Sequence, residues 1–340
     1  MSEALNDAIT SSSRSRGTSG RAPSGRNVSA SEIPDETRMG PPTLKVKDLD
    51  KMLSFYEGTF GLLVNSKRAE RSSGLEVFEL GVKEGSPGPL LILKHDSNAE
   101  QPPRNFAGLF HFAILVPDRR SLARAFLALH RKKDVHFEGF ADHLVSESLY
   151  LHDPEGNGIE IYRDRPSSDW THDNDGHVVM DTLPLDLAGI LSELPAEERA
   201  SNLEEGVVGA FPNGARIGHM HLRVTNLERS VEFYKVLGFH TSADWSTFGA
   251  MFLSAGKYHH HLGLNTWHSL DGRKHVVGEA GLDSFTIELP KETFSSYVRS
   301  LRSREDSSSS AAPVFDKIDE NELLVSDPDA IPIRITTNAR

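Results

Sequence analysis

Two segments of the chain share one pattern of apolar and polar positions. VKDLDKMLSFYEGTFG (46–61) is echoed by VTNLERSVEFYKVLGF (224–239). Each begins as a strand, passes an Asp or Asn suited to cap a helix, and continues at helical spacing. Leu49, Met52, Leu53 and Tyr56 fall at i, i+3, i+4 and i+7; Leu227, Ser230, Val231 and Tyr234 repeat the stripe, with Ser230 its one polar member. GLFHFAILVP (108–117) aligns without gaps on GLDSFTIELP (281–290). The helices that follow carry Leu122, Ala125, Phe126, Leu129 and Phe294, Tyr297, Val298, Leu301. Short β-like runs come after each helix: VFEL and PLLILK, SLYLHD and GIEIY, MFLSA and HHLGL, ELLVSD and IPIRIT. The chain therefore reads as an α+β protein of four βαβββ modules, starting near 42, 109, 217 and 282. One such module leaves a sheet face exposed and cannot bury it alone. Modules are expected to pair into curved, cup-like sheets, and the cup is the natural place for a ligand.

Punctuation around the modules suggests the larger organisation. Residues 1–38 are rich in Ser, Gly and Arg with almost nothing apolar to bury, and are expected to form a disordered tail. A mitochondrial presequence is the sharper reading of the same Ser and Arg, but Glu3, Asp7 and the lack of an amphipathic pattern oppose it. Residues 39–165 hold modules 1 and 2 as a first domain, and 214–340 hold modules 3 and 4 as a second. Between them, 166–213 reads as a linker with one short helix in LDLAGILSEL. SREDSSSSAAP (303–313) reads as a polar surface loop.

Composition narrows the chemistry. Lys+Arg 37 against Asp+Glu 49 in 340 residues gives a net charge of -12, which argues against nucleic acid or anionic lipid as a partner. No apolar run approaches the roughly 18–20 residues that span a bilayer, so a soluble, cytoplasmic protein is expected. There are no cysteines, which removes disulfides, thiolate metal sites and thiol nucleophiles. Any metal must be held by His and carboxylate, and 16 histidines are available. Neither a GxGxxG nor a P-loop motif is present, so nucleotide use has no support.

GLFHFAILVPDRRSLA, SESLYLHDPEGNGIEIYRDRPSSDW, IGHMHLRVTNLERSVEFY and LSAGKYHHHLGLNTW carry a resemblance. They are similar to the vicinal oxygen chelate superfamily of glyoxalases, bleomycin-resistance proteins and extradiol dioxygenases. Within it the chain resembles two-domain catechol-2,3-dioxygenase-like proteins over about 40–340. The extradiol signature reads here as His143, Leu149, Tyr150, Asp153, Pro154, Gly156 and Glu160, with only the small residue before His143 departing, as Ala141. The implied fold is two vicinal oxygen chelate cups. The implied activity is Fe(II)-dependent ring cleavage of a catechol-like diol by dioxygen, Mn(II) being the other metal to consider. The partners are then the aromatic diol and O2; a homo-oligomer is compatible with the sequence.

The resemblance implies two His and one Glu as ligands, an arrangement that leaves cis positions open for a chelating diol and dioxygen. Ligand positions fall on the first and last strands of each module. Module 2 offers His111 and Glu160, and module 3 offers His219, aligned with His111. Modules 1 and 4 are empty: Pro41 and Ser284 stand at the His position and Arg334 at the Glu position. The donors thus come from different sequence halves: either modules 2 and 3 pair in space, leaving 1 and 4 as a vestigial pair, which is the expectation, or the site is incomplete. His221, two residues on and on the same strand face, is the rival to His219. By the same resemblance His260, in a His259–His261 triplet expected on a strand, is the candidate general acid/base. His143 and Tyr150 are expected to hydrogen bond substrate oxygen. Trp170, Trp245 and Trp267 read as packing or rim residues. A glyoxalase-like isomerase or lyase, with His260 as a fourth ligand, and a non-catalytic small-molecule binder are the alternatives.

Overall fold

The computed structural model describes residues 33–82, 88–200, 211–305 and 315–337. Most of the expected tail and most of the loop at 303–313 lie outside the described residues.

The four modules are all present in the order read from the pattern. Module 1 comprises β2 (Thr43–Val46), α1 (Leu49–Leu53, continued by a π-helical turn Ser54–Thr59), β3 (Leu63–Ala69), β4 (Glu76–Gly81) and β5 (Leu91–His95), preceded by the short β1 (Arg38–Met39). Module 2 comprises β6 (Gly108–Leu115), α2 (Arg119–His130), β7 (Phe137–Asp142), β8 (Ser146–His152) and β9 (Gly158–Asp164). Between the halves come α3 (Leu187–Ser192) and α4 (Ala196–Ala200). Module 3 comprises β10 (Arg216–Arg223), α5 (Leu227–Val236), β11 (His240–Trp245), β12 (Ala250–Ser254) and β13 (Leu262–Asn265). Module 4 comprises β14 (Gly281–Leu289), α6 (Lys291–Glu305), β15 (Phe315–Ile318), β16 (Glu322–Ser326) and β17 (Pro332–Thr337).

The helices start where the sequence offers an oxygen to a free backbone amide. Asp48, Asp118 and Asn226 accept from the N–H of Lys51, Ser121 and Arg229. Their apolar stripes then enter one continuous core with residues of both sheets, in which Met52, Leu122, Leu129 and Tyr234 are fully buried.

Strands join across the sequence halves. One sheet runs β11-β12-β13-β10-β6-β9-β8-β7; the other runs β15-β16-β17-β14-β2-β5-β4-β3, with β1 added against β14. Module 2 therefore pairs with module 3 through the antiparallel β6–β10 seam, and module 1 with module 4 through β2–β14. Each cup takes one module from 39–165 and one from 214–340. The physical reason is the central pairing: His221 faces His111 and His219 faces Ala113 across the seam. The donor-bearing strands are thus adjacent, whereas β2 and β14 carry none.

Two boundary expectations change. Residues 33–38, read as the end of the tail, are placed on the body: Ile33 is buried and its N–H bonds the carbonyl of Gly238. The described part of 166–213 is more than a connection. Its helix α3 packs on α2, and Asp142 and Leu183 exchange backbone hydrogen bonds. Among the described residues no helix is long and apolar enough to cross a membrane.

Candidate metal centre

Period-two alternation places the donors. Phe112 and Ile114 of β6, Ile159 and Ile161 of β9, and Met220 and Leu222 of β10 all enter the main core. The residues between them must face the cup. On β9 these are Glu160, Tyr162 and Asp164; on β10, His219 and His221; on β6, His111 and Ala113. Ala113 lies directly between Glu160 and His219 in the ladder. Its small side chain leaves the space above it to the three donors.

Those donors converge. Glu160 Oε2 lies 2.9 Å from His111 Nε2 and 3.0 Å from His219 Nε2, and the two nitrogens are 3.4 Å apart. His111, Glu160 and His219 are 4%, 2% and 2% exposed, so water does not compete for them. Burial would raise the Glu160 carboxyl, but His219 and His111 outweigh it and hold it well below the usual carboxylate range. Burial keeps His111 below its ordinary value despite Glu160. The cluster is thus one carboxylate with imidazoles aimed at it, and it is a group able to hold a metal ion. A triangle with these edges can be capped by one ion about 2.0–2.2 Å from each corner, the range for His nitrogen and carboxylate oxygen on zinc. The donor set fits a 2-His-1-carboxylate centre.

His221 is brought beside the cluster but not into it. Its ring lies edge-on to that of His111 with centroids 4.8 Å apart, over Gly263 of β13. Burial pushes it well below its ordinary value.

The loop before β9 sets the height of Glu160. Asp153 accepts from the N–H groups of Glu155 and Asn157, from the Asn157 side chain, and from the Tyr56 hydroxyl. Gly156 takes the left-handed conformation (φ 88°). Gly158 allows the close approach of β9 to β6, since a Cβ there would lie 2.1 Å from the carbonyl oxygen of Phe110. This is the physical content of the Asp-Pro-x-Gly turn.

His143 and Tyr150 form a pair on the wall of the cup. His143 Nδ1 is 2.7 Å from the carbonyl oxygen of Asp181, which can only accept, so Nδ1 carries the proton. His143 Nε2 lies 2.7 Å from the Tyr150 hydroxyl. Burial, then Glu160, raises the Tyr150 phenol well above its ordinary value, so it stays protonated.

The triplet His259–His261 does not lie on a strand as its alternation suggested. It forms the turn leading into β13, and only His261 continues the ladder, its N–H bonding the carbonyl of Leu253. The turn brings His260 over the cluster, its ring centroid 4.2 Å from that of His219. Burial, then His219 and His259, holds His260 well below its ordinary value.

Phe110, Met180, Trp245, Phe252 and Trp267 wall the cavity above the donors. Two of the tryptophans read as packing or rim residues therefore line it, while Trp170 packs on His259. Met180 and Thr182 come from the segment read as a linker. The sequence carries no periodic signal there. Phe110 faces the cup because a bulge sets it and His111 together opposite His221.

A family model for the Glyoxalase/Bleomycin resistance protein/Dioxygenase superfamily matches residues 38–161 and 216–307, and the chain belongs to this superfamily. It is 38% identical over 262 residues to a catechol-2,3-dioxygenase of Bacillus subtilis (strain 168), covering 76% of this chain and 85% of that protein. Among solved structures, a "putative dioxygenase" from Bacillus subtilis superposes with a TM-score of 0.60 at 13% identity, over 91% of this chain and 87% of that one. Glyoxalase I from Zea mays superposes at 0.51 and 17% identity, over 89% and 93%. At these identities both structures bear on the fold alone.

Proposed function

We propose that the chain is an Fe(II)-dependent extradiol dioxygenase that opens the ring of a catechol-like diol. The observation that carries the reading is the buried triangle of His111, Glu160 and His219, a group of three donors with no fourth among the described residues. The 38% identity to a catechol-2,3-dioxygenase supports the same class of reaction.

His111, His219 and Glu160 would hold the iron, whose chemistry when bound is to bring a chelating diol and dioxygen together and pass electron density between them. The chain's own residues supply the rest. Tyr150, protonated and tied to His143, presents an oxygen beside His111 for hydrogen bonding to the diol. His260 is neutral, so its open Nε2 can take the second hydroxyl proton of the diol and return it to the product. Phe110, Trp245, Phe252 and Trp267 bury the ring and keep bulk water out. Among these cavity residues there is no Lys or Arg. The walls therefore suit a neutral diol with apolar substituents, because a carboxylate buried there without a partner would cost several kcal/mol.

The direct test is anaerobic loading with Fe(II) followed by a set of catechols and air. The expected result is oxygen uptake with a ring-opened chromophore. No uptake across the set would overturn the assignment.

A further inference from the structure

Glu160, Tyr162 and Asp164 project in succession from one face of β9, and only the first belongs to the donor triangle. Asp164 reaches the turn that carries His260. His259 Nε2 lies 2.8 Å from Asp164 Oδ1, and His259 Nδ1 lies 2.8 Å from His260 Nδ1. His259 is fully buried. The Tyr258 hydroxyl lies 3.1 and 3.2 Å from the two Asp164 oxygens and 2.7 Å from the Tyr162 hydroxyl, so the carboxylate is held from two sides. Even the backbone makes room: a Cβ on Gly218 would fall 1.7 Å from the Tyr162 hydroxyl.

Proton counting along this chain has one outcome when His259 is a neutral imidazole; a doubly protonated His259 would donate to His260 Nδ1 and give the opposite tautomer. A carboxylate only accepts, so His259 Nε2 carries a hydrogen and donates to Asp164. In the neutral ring His259 Nδ1 is then bare. Two bare nitrogens cannot sit 2.8 Å apart, so His260 Nδ1 must carry the hydrogen between them. His260 Nε2 is left with a lone pair, on a residue that lines the cavity above the donors.

We infer that Asp164 and His259 are positioning residues that lock His260 in the Nδ1–H tautomer, with its basic Nε2 presented to the substrate. This rests on the dioxygenase reading for its catalytic meaning but not for its geometry. Without the chain, the tautomer with Nε2 protonated would be free to form, and His260 could not accept a proton from the diol. The arrangement extends the acid/base group to a three-residue unit drawn from modules 2 and 3.

The test has two readouts. In protein labelled with 15N-histidine and loaded with diamagnetic Zn(II), two-bond 1H–15N correlations report each imidazole tautomer. His260 is expected as Nδ1–H in the wild type and as mixed or Nε2–H in Asp164→Ala and His259→Phe. In the Fe(II) enzyme the same variants are expected to lose about tenfold to hundredfold in kcat, with KM and iron content unchanged and part of the loss restored in Asp164→Glu. A wild-type His260 found as Nε2–H, or variant kcat values within twofold of wild type, would overturn the inference. A loss of kcat that merely tracks lost iron would do the same. If the wild type cleaves no diol, the proposed function fails, while the tautomer measurement still decides this point.

Discussion

Gly263 stands in β13 where Glu160 stands in β9. Glu160 is paired with Ala113 of β6 and Gly263 with His221 of β10, and β6 and β10 are related by the exchange of His111–His221 and Ala113–His219 across the seam. The fourth corner of the site therefore has no donor. It is filled by the His221 ring, whose Cγ would be 2.9 Å from a Cβ at Gly263. A glyoxalase-like isomerase that needs a fourth protein ligand would have to draw it from outside these strand positions, and His260 is the histidine placed over the cluster to supply it. Under strict anaerobiosis, protein loaded with Ni(II), Co(II) or Zn(II) is expected to show no isomerase turnover of hemithioacetals; sustained turnover would contradict the three-donor reading.

The donor assignment separates the two histidines of β10. Glu160→Ala and His219→Ala are expected to lose bound iron on gel filtration, because each removes a corner of the triangle. His221→Ala should keep its iron, since its ring packs on His111 and stands outside the donor group. Metal analysis of the eluted protein checks all three, and iron lost from His221→Ala alone would reverse the assignment.

Gly158→Ala tests the seat of Glu160. The new Cβ would meet the Phe110 carbonyl at 2.1 Å and His111 Cβ at 3.0 Å, and a carbonyl in the middle of a sheet has little room to move. Overpacking of this kind costs about 1–3 kcal/mol. Thermal unfolding should report a lower midpoint, accompanied by weaker iron binding as β9 is forced away from β6.

Substrate preference should follow the walls. Catechols with an alkyl or aryl substituent are expected to exceed a carboxylated catechol in kcat/KM by at least about tenfold, a difference near 1.4 kcal/mol. Parallel oxygen-uptake assays decide it; equal efficiency would mean that a cation outside these walls reaches the substrate.

Acid stability has a defined window. Burial, with His259 and Arg216 nearby, pushes His261 down to about 3 from an ordinary 6.5. Its Nδ1 accepts from the Ala255 N–H and its Nε2 faces the Thr37 carbonyl, so there is no room for a second proton without loss of a bond. As pH falls through about 6.5 the unfolded chain gains a proton at His261 that the folded protein refuses until about 3. The contribution is complete above 6.5 and declines across that interval. Unfolding midpoints from pH 7.5 to 4.5 should fall less steeply in His261→Gln than in the wild type.

Much of this was legible in the sequence because it rests on period and repetition. The helical stripes that include Tyr56 and Tyr234 mark equivalent helices, and the occupied donor positions His111, Glu160 and His219 already favoured a meeting of modules from the two halves over an incomplete site. What was not legible depends on single tertiary contacts. Three consecutive histidines alternate like a strand, but the bonds from Asp164 to His259 and on to His260, with those of His261 to Ala255 and Thr37, hold them in a turn. Met180 and Thr182 have no pattern of their own; they face the cup because Asp181 bonds His143 and Leu183 pairs with Asp142. Phe110 joins the wall through a bulge that no spacing announces.

The β6–β10 seam also makes the site a clasp on folding itself. His111 and His219 are separated by 108 positions in the chain and meet only when distant strands have found one another. In the unfolded chain, bringing them together is opposed by loop-closure entropy. A divalent ion bound at this triangle therefore selects the assembled protein over every partly folded form, and it stabilises that state by mass action in proportion to how tightly it is held.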